Sequence, residues 1–165
     1  MKKIIFTSCL LFGLLLTFNT SSHAQEGRIQ AGPGLAYGGE AENLGISLDG
    51  YYTINEEFRA GAAFTYFFAN DLYSSYAIDL NGNYIFHNED ELMAYGIAGL
   101  NIFTYSWDSD VAGVDDSESE IGLNLGAGLE YNVDFANLFG ELKFAGLGSD
   151  ANQLVLGAGL RFDIQ

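Results

Sequence analysis

Scarcity is the most informative property of this chain. It has a single cysteine, Cys9, so no intramolecular disulfide can hold it together. Six Lys plus Arg stand against 22 Asp plus Glu, a formal net charge of −16. That balance excludes nucleic acid as a partner, because phosphate binding needs clustered basic residues. One proline in 165 residues leaves long stretches free to form uninterrupted hydrogen-bonded ladders. The longest apolar run, Ile4 to Phe18, falls short of the ~20 residues that a membrane-spanning helix needs.

Catalytic signatures are missing too. There is no Gly-x-Ser-x-Gly element, no glycine-rich phosphate loop ending in Lys, and no His-Glu-x-x-His pair. After residue 24 the only histidine is His87, in the polar segment His87-Asn88-Glu89-Asp90-Glu91. A general acid or base needs partners in reach, and the sequence offers none. The expectation is a protein without catalytic residues, cofactor or dedicated metal.

The N-terminal residues point to export. Lys2 and Lys3 precede the apolar run, and Ser22-His23-Ala24 places small residues before a cut at Gln25. This is the layout of a cleavable signal peptide over residues 1–24. Cleavage removes Cys9, Lys2 and Lys3 but none of the acids, so residues 25–165 form one strongly acidic, cysteine-free domain.

That acidic domain is rich in residues that acidic chains usually lack. The sequence has 13 Phe, 10 Tyr and 21 Gly, arranged with a period of two. In 44–54, Leu44, Ile46, Leu48 and Tyr52 alternate with Gly45, Ser47, Asp49 and Tyr51. The same alternation runs through 28–37, 58–68, 76–86, 121–131, 138–144 and 154–162. Strict alternation predicts half-buried strands. Residues 92–105 read as extended, but both faces are mixed and neither is assignable. About eight strands result, with short turns at 55–57, 87–91 and 132–136. The other connections fall at 38–42, 69–74, 147–152 and in a long acidic stretch, 106–120.

The face opposite the apolar one decides between two kinds of barrel. It carries Gly45, Gly61, Gly122, Gly126, Gly128, Gly157 and Gly159. On a solvated strand these glycines would weaken the sheet, whereas the inside of a narrow eight-strand barrel has room for little more. The apolar face also bands by residue type. Tyr52, Phe58, Tyr84, Phe86 and Tyr131 lie near the short turns, Tyr66, Phe68 and Tyr76 near the other ends, and Leu, Ile and Ala between. Aromatic girdles of this kind mark both interfaces of membrane barrels. The expected fold is all-β, a closed antiparallel up-and-down transmembrane barrel. A secreted, soluble, lipocalin-like carrier is the alternative architecture.

On these features the chain resembles the small outer-membrane β-barrel proteins of Gram-negative bacteria, in the manner of OmpX and the OmpA transmembrane domain, often grouped as porin-family. The residues that carry the resemblance are the leader ending at Ala24-Gln25, the glycine-rich alternating strands, and the closing Leu156-Gly157-Ala158-Gly159-Leu160-Arg161-Phe162. It implies outer-membrane lipid and lipopolysaccharide as surroundings, the barrel-assembly machinery as a partner, and a monomer.

Two candidate sites follow. The inward set Asp49, Arg59, Asp79, Glu130, Glu141, Lys143 and Arg161 is expected to form ion pairs that plug the lumen, with a narrow channel for small solutes as the alternative. In particular, Glu141 is expected to be shared by Lys143 and Arg161. The acidic stretch 106–120 opens like a calcium loop at Asp108-Ser109-Asp110, but Ala112 and Ser119 stand where oxygen ligands belong. Surface acidity with loose divalent-ion association is the expectation there. The mature protein should begin at Gln25; intact-mass spectrometry of the membrane-extracted protein checks this, and a mass retaining residues 1–24 would contradict it.

Overall fold

The computed structural model describes residues 27–39, 43–70, 73–107 and 116–164. Eight strands follow one another: β1 (Ile29–Gly38), β2 (Asn43–Thr53), β3 (Phe58–Asn70), β4 (Tyr73–Glu89), β5 (Leu92–Trp107), β6 (Asp116–Val133), β7 (Ala136–Leu147) and β8 (Gln153–Asp163). Each pairs antiparallel with its successor, and β8 pairs with β1 to close the barrel. The signal-peptide segment 1–24 and the calcium-like residues Asp108 and Asp110 lie outside the described residues.

Alternation in the sequence becomes inside and outside in the barrel. Leu44, Ile46, Leu48 and Tyr52 on β2 are exposed, and so are Leu80 and Tyr84 on β4, Leu123, Leu125 and Leu129 on β6, and Leu154 and Leu156 on β8. The outward-facing positions of the described strands carry no charged residue from Ile29 to Phe68, from Tyr76 to Phe86, or from Ile121 to Phe162. Such a continuous apolar exterior is stable only against an apolar medium. The aromatic belts sit as the sequence implied. Phe58 and Tyr84 touch across β3 and β4 near the short-turn end, their rings 5.2 Å apart, and Phe64 and Tyr76 meet at 5.9 Å nearer the other end.

Strand β5 resists a reading from sequence because its inner face is itself apolar. Tyr95, Ile97 and Phe103 are buried inside, while Leu100 faces out and is exposed. Both faces are therefore hydrophobic, and period two carries no contrast. The glycines on the inner wall have a specific reason as well. Gly61 lies opposite Tyr51, Gly128 opposite Tyr95, Gly159 opposite Phe139 and Gly45 opposite Phe67. A methyl group at Gly128 would stand 2.5 Å from Tyr95 Cζ, and one at Gly159 2.7 Å from Phe139 Cε1. Each of these four rings thus lies across a cross-strand glycine, which frees the volume the ring needs.

Two expectations change. The stretch 106–120 is strand at both of its ends, where β5 and β6 pair out to Trp107 opposite Asp116; residues 108–115 lie outside the described residues. Polar residues there signal a loop locally, yet the cross-strand partners extend the sheet, helped by the Thr104–Ser119 hydroxyl contact at 2.8 Å. The turn expected at 87–91 contracts, since β4 continues to Glu89 with a bulge between Ile85 and His87. Pro33 faces Leu48 on β2, and no pairing with β8 is made at Gly32 or Pro33, where the imide has no N–H to give.

If the exterior meets lipid, Leu125→Arg should destabilise the barrel by about 2–4 kcal/mol near the bilayer midplane, whereas Ala63→Ser, facing the lumen, should have little effect. Urea unfolding in lipid vesicles measures both, and equal losses would contradict the facing.

Candidate functional site

The lumen is built in three levels. Nearest the short-turn end, β8 contributes Arg161, which is fully buried. Its guanidinium donates to Asp49 on β2 (Nη2 to Oδ2, 2.7 Å), Glu141 on β7 (Nη2 to Oε1, 2.7 Å) and Glu130 on β6 (Nη1 to Oε2, 3.0 Å). It also donates to the Tyr95 hydroxyl at 2.9 Å, and that hydroxyl donates on to Glu141 at 2.7 Å. Arg59 on β3 shares the same Glu130 oxygen at 2.8 Å and reaches Gln30 at 3.2 Å. Gln30 in turn donates to the other oxygen of Glu130 at 3.1 Å.

Aromatic faces complete this level. Arg59 lies 4.3 Å from the Tyr95 ring centroid and 4.7 Å from that of Tyr51. Arg161 lies 4.6 Å from Tyr51 and 3.9 Å from Phe139. The order Tyr95, Arg59, Tyr51, Arg161, Phe139 is an alternation of ring and guanidinium across the lumen. Flat, weakly hydrated guanidinium suits such stacking, and its fork serves several carboxylates at once. Lysine in either place would keep the charge and lose both geometries.

The middle level centres on Asp79 of β4. One of its oxygens accepts from Asn101 at 2.7 Å and Asn124 at 2.8 Å; the other is the partner of Lys143 on β7. Asn124 also donates to Asn81 at 2.9 Å. The carbonyl oxygens of Asn101 and Asn124 are buried without a partner among the described residues. The third level, toward the opposite end, is apolar: Phe67, Phe103 and Val155 are buried there with Ala36, Ala77, Ala145 and Ala151, and Tyr105 packs against them.

All seven residues singled out from the sequence face the lumen, but they fall into two groups. Asp49, Arg59, Glu130, Glu141 and Arg161 share one network, and Asp79 with Lys143 forms another. The expected sharing of Glu141 by Lys143 is therefore corrected: Lys143 turns across the lumen to Asp79. Sequence reasoning compared neighbouring strands only, whereas a closed narrow barrel also faces β7 toward β4. In register, Glu141 stands opposite Gly157 and Arg161 opposite Asn137, so the arginine covers the gap by the length of its side chain.

The sequence reading missed Tyr51, Tyr95, Phe139 and the asparagines of the middle level. Their signal was available, as aromatics opposite glycines on the inner face. It also missed the clasp at the barrel seam, where Arg28 grips Asp163 with two bonds of 2.6 and 2.7 Å. Among the described residues no group of His, Cys, Asp and Glu is placed to hold a metal ion.

No protein-family model and no curated protein matches this chain. Solved structures do match over most of its length. Neisserial surface protein A aligns with a TM-score of 0.64 at 20% identity, covering 84% of this chain and 97% of that one. The N-terminal β-barrel domain of Pseudomonas aeruginosa OprF gives 0.61 at 18% identity, covering 84% and 98%. Ail, the attachment invasion locus protein of Yersinia pestis, in complex with the heparin analogue sucrose octasulfate, gives 0.56 at 20% identity, covering 84% and 100%. The chain therefore shares the fold of small eight-strand outer-membrane barrels.

If Glu141 and Arg161 interact as placed, removing one leaves a buried charge unpaired, at a cost of about 3–5 kcal/mol. Glu141→Ala should lower the unfolding temperature markedly, and Glu141→Ala with Arg161→Ala should lose less than the sum. Lys143→Ala should couple to Glu141→Ala much more weakly, because its direct partner is Asp79. Thermal unfolding of the three single and two double variants in detergent tests this, and strict additivity for the first pair would contradict the network.

Proposed function

We propose that this chain is a non-enzymatic outer-membrane barrel whose lumen is plugged and whose role is structural or surface-interactive. The observation that carries the reading is the pairing of a charge-free apolar exterior with an interior in which charged side chains are matched to one another. A soluble carrier would need the reverse, a polar outside around an apolar cavity. A conducting pore would leave charges solvated along a path, whereas here Arg59 and Arg161 are stacked between rings and bonded to carboxylates. The chain's leader would deliver it across the inner membrane, and the barrel-assembly machinery would insert it as a monomer among lipid and lipopolysaccharide.

The surface role belongs to the end opposite the short turns. There β4, β5 and β6 rise beyond β7: the β6–β7 pairing ends at Leu123 opposite Leu147, while the β5–β6 pairing goes on to Asp116 and the β4–β5 pairing to Tyr73 opposite Trp107. Ser117, Glu118 and Ser119 are exposed on this extension. Its acidity suits divalent ions bridging to lipopolysaccharide phosphates, or a basic surface on another molecule.

In intact cells Ser117→Cys should label with a membrane-impermeant thiol reagent, while Asn88→Cys, on the short-turn end, should label only after the outer membrane is opened. The reverse pattern would invert the topology, and labelling of neither, with recovery in the soluble periplasmic fraction, would refute the membrane assignment.

A further inference from the structure

The ion-pair network is the obvious stopper of this barrel, but it is not the only material in the lumen. At the far end the inner wall changes character. Phe67 and Phe103 are 3% and 2% exposed, their rings 5.9 Å apart, and the Tyr105 ring lies 4.8 Å from Phe103. The inward polar side chains beside them, Thr65, Ser75 and Gln153, are uncharged. Glu120 is the one acid opposite Phe103, and its carboxylate is turned to the backbone N–H of Ala151 at 2.9 Å.

The two ends stop an ion by different physics. At the Arg161 level a passing ion meets fixed charges that already have partners, so it must displace an ion pair. At the Phe103 level it meets aromatic rings and one acid, Glu120, already turned to the Ala151 N–H, and must shed its hydration with little in return. Neither barrier depends on the other, because the residues of one do not touch those of the other. Between them lies Asp79 with Lys143, Asn81, Asn101 and Asn124, and two of those asparagine oxygens are buried without a partner among the described residues. Ala63 stands in this middle level, paired with Asp49 on one side and Asp79 on the other, and its side chain faces the lumen.

We infer that the lumen is sealed twice in series, by an apolar layer at Phe67 and Phe103 on the outer side and by the ring-and-guanidinium layer at Tyr95 and Arg161 on the inner side, enclosing a polar chamber around Asp79. The inference rests on the membrane-barrel reading above. Opening one seal connects the chamber to one side only; a path through the barrel requires opening both.

The test uses the full mature chain, with Ala63→Cys as reporter in a background that is otherwise free of cysteine. The probe is a small, negatively charged methanethiosulfonate applied from outside to intact cells, or from both sides to opened membranes. With both seals intact Ala63→Cys should stay unlabelled from either side. Phe67→Ala with Phe103→Ala should raise outside labelling by about a hundredfold or more, the scale that desolvating an unpaired charge sets. Tyr95→Ala should leave outside labelling unchanged and raise it in opened membranes. Single-channel conductance in planar bilayers should stay at baseline for each opening and appear when they are combined. Conductance from either opening alone, or labelling of Ala63→Cys in the otherwise unchanged barrel, would overturn the inference. Slower migration on boiling confirms insertion of each variant first, so that failure of the membrane reading is seen separately. If Tyr95→Ala does not insert, Tyr51→Ala opens the same layer.

Discussion

The largest charged network inside this barrel is arranged around one guanidinium. Arg161 is fully buried, yet it gathers Asp49, Glu130, Glu141 and the Tyr95 hydroxyl, and lies on the Phe139 ring. Those partners come from β2, β6, β7, β5 and β7 respectively, so a single side chain on the last strand ties together most of the circumference. The carboxylates in turn cannot be buried without it. Four acids and three bases make up the two ion-paired groups, and Arg161 answers three of those four acids.

Such a network is not a simple source of stability, since desolvating each charge offsets much of what the pairing contributes. Its clearer effect is on register. Side chains alternate strictly along a strand, so a slip of β8 by one residue would carry Arg161 from the lumen to the exterior. There it would face the apolar band instead of its carboxylates. Leu160 and Phe162 would turn inward at the same time. The apolar exterior and the charged interior therefore enforce one pairing more firmly than either would alone, and the glycines opposite Tyr51, Tyr95 and Phe139 admit the rings only in that same register.

Much of this was legible in the sequence because barrels write their two environments on alternate residues. Leu44, Ile46 and Leu48 against Gly45, Ser47 and Asp49 give strand, face and medium together. What was not legible follows from the same rule. On β5, Tyr95, Ile97 and Phe103 fill the lumen with apolar groups, so the contrast between faces vanishes. At 116–120, Ser and Glu carry a loop signature, but the strand continues above the apolar band, where either face can be polar. Lys143 was assigned the wrong carboxylate because alternation ranks neighbours along and between adjacent strands. It says nothing of Asp79 across a lumen only a few side chains wide.

The seam between β1 and β8 has the shortest ladder of the eight described. Its ladder skips Gly32 and Pro33, and the clasp of Arg28 on Asp163 stands just beyond its end. A cylinder under radial strain parts along the line with the fewest bonds, and here that line is marked by the position of a single imide. The clasp lies at the short-turn end, so the seam is fastened at one end and thinned in its middle, like a garment held by its last button. Loosening of this wall would begin as a slit at Gly32 and Pro33 facing the lipid, with both ends of the molecule still round.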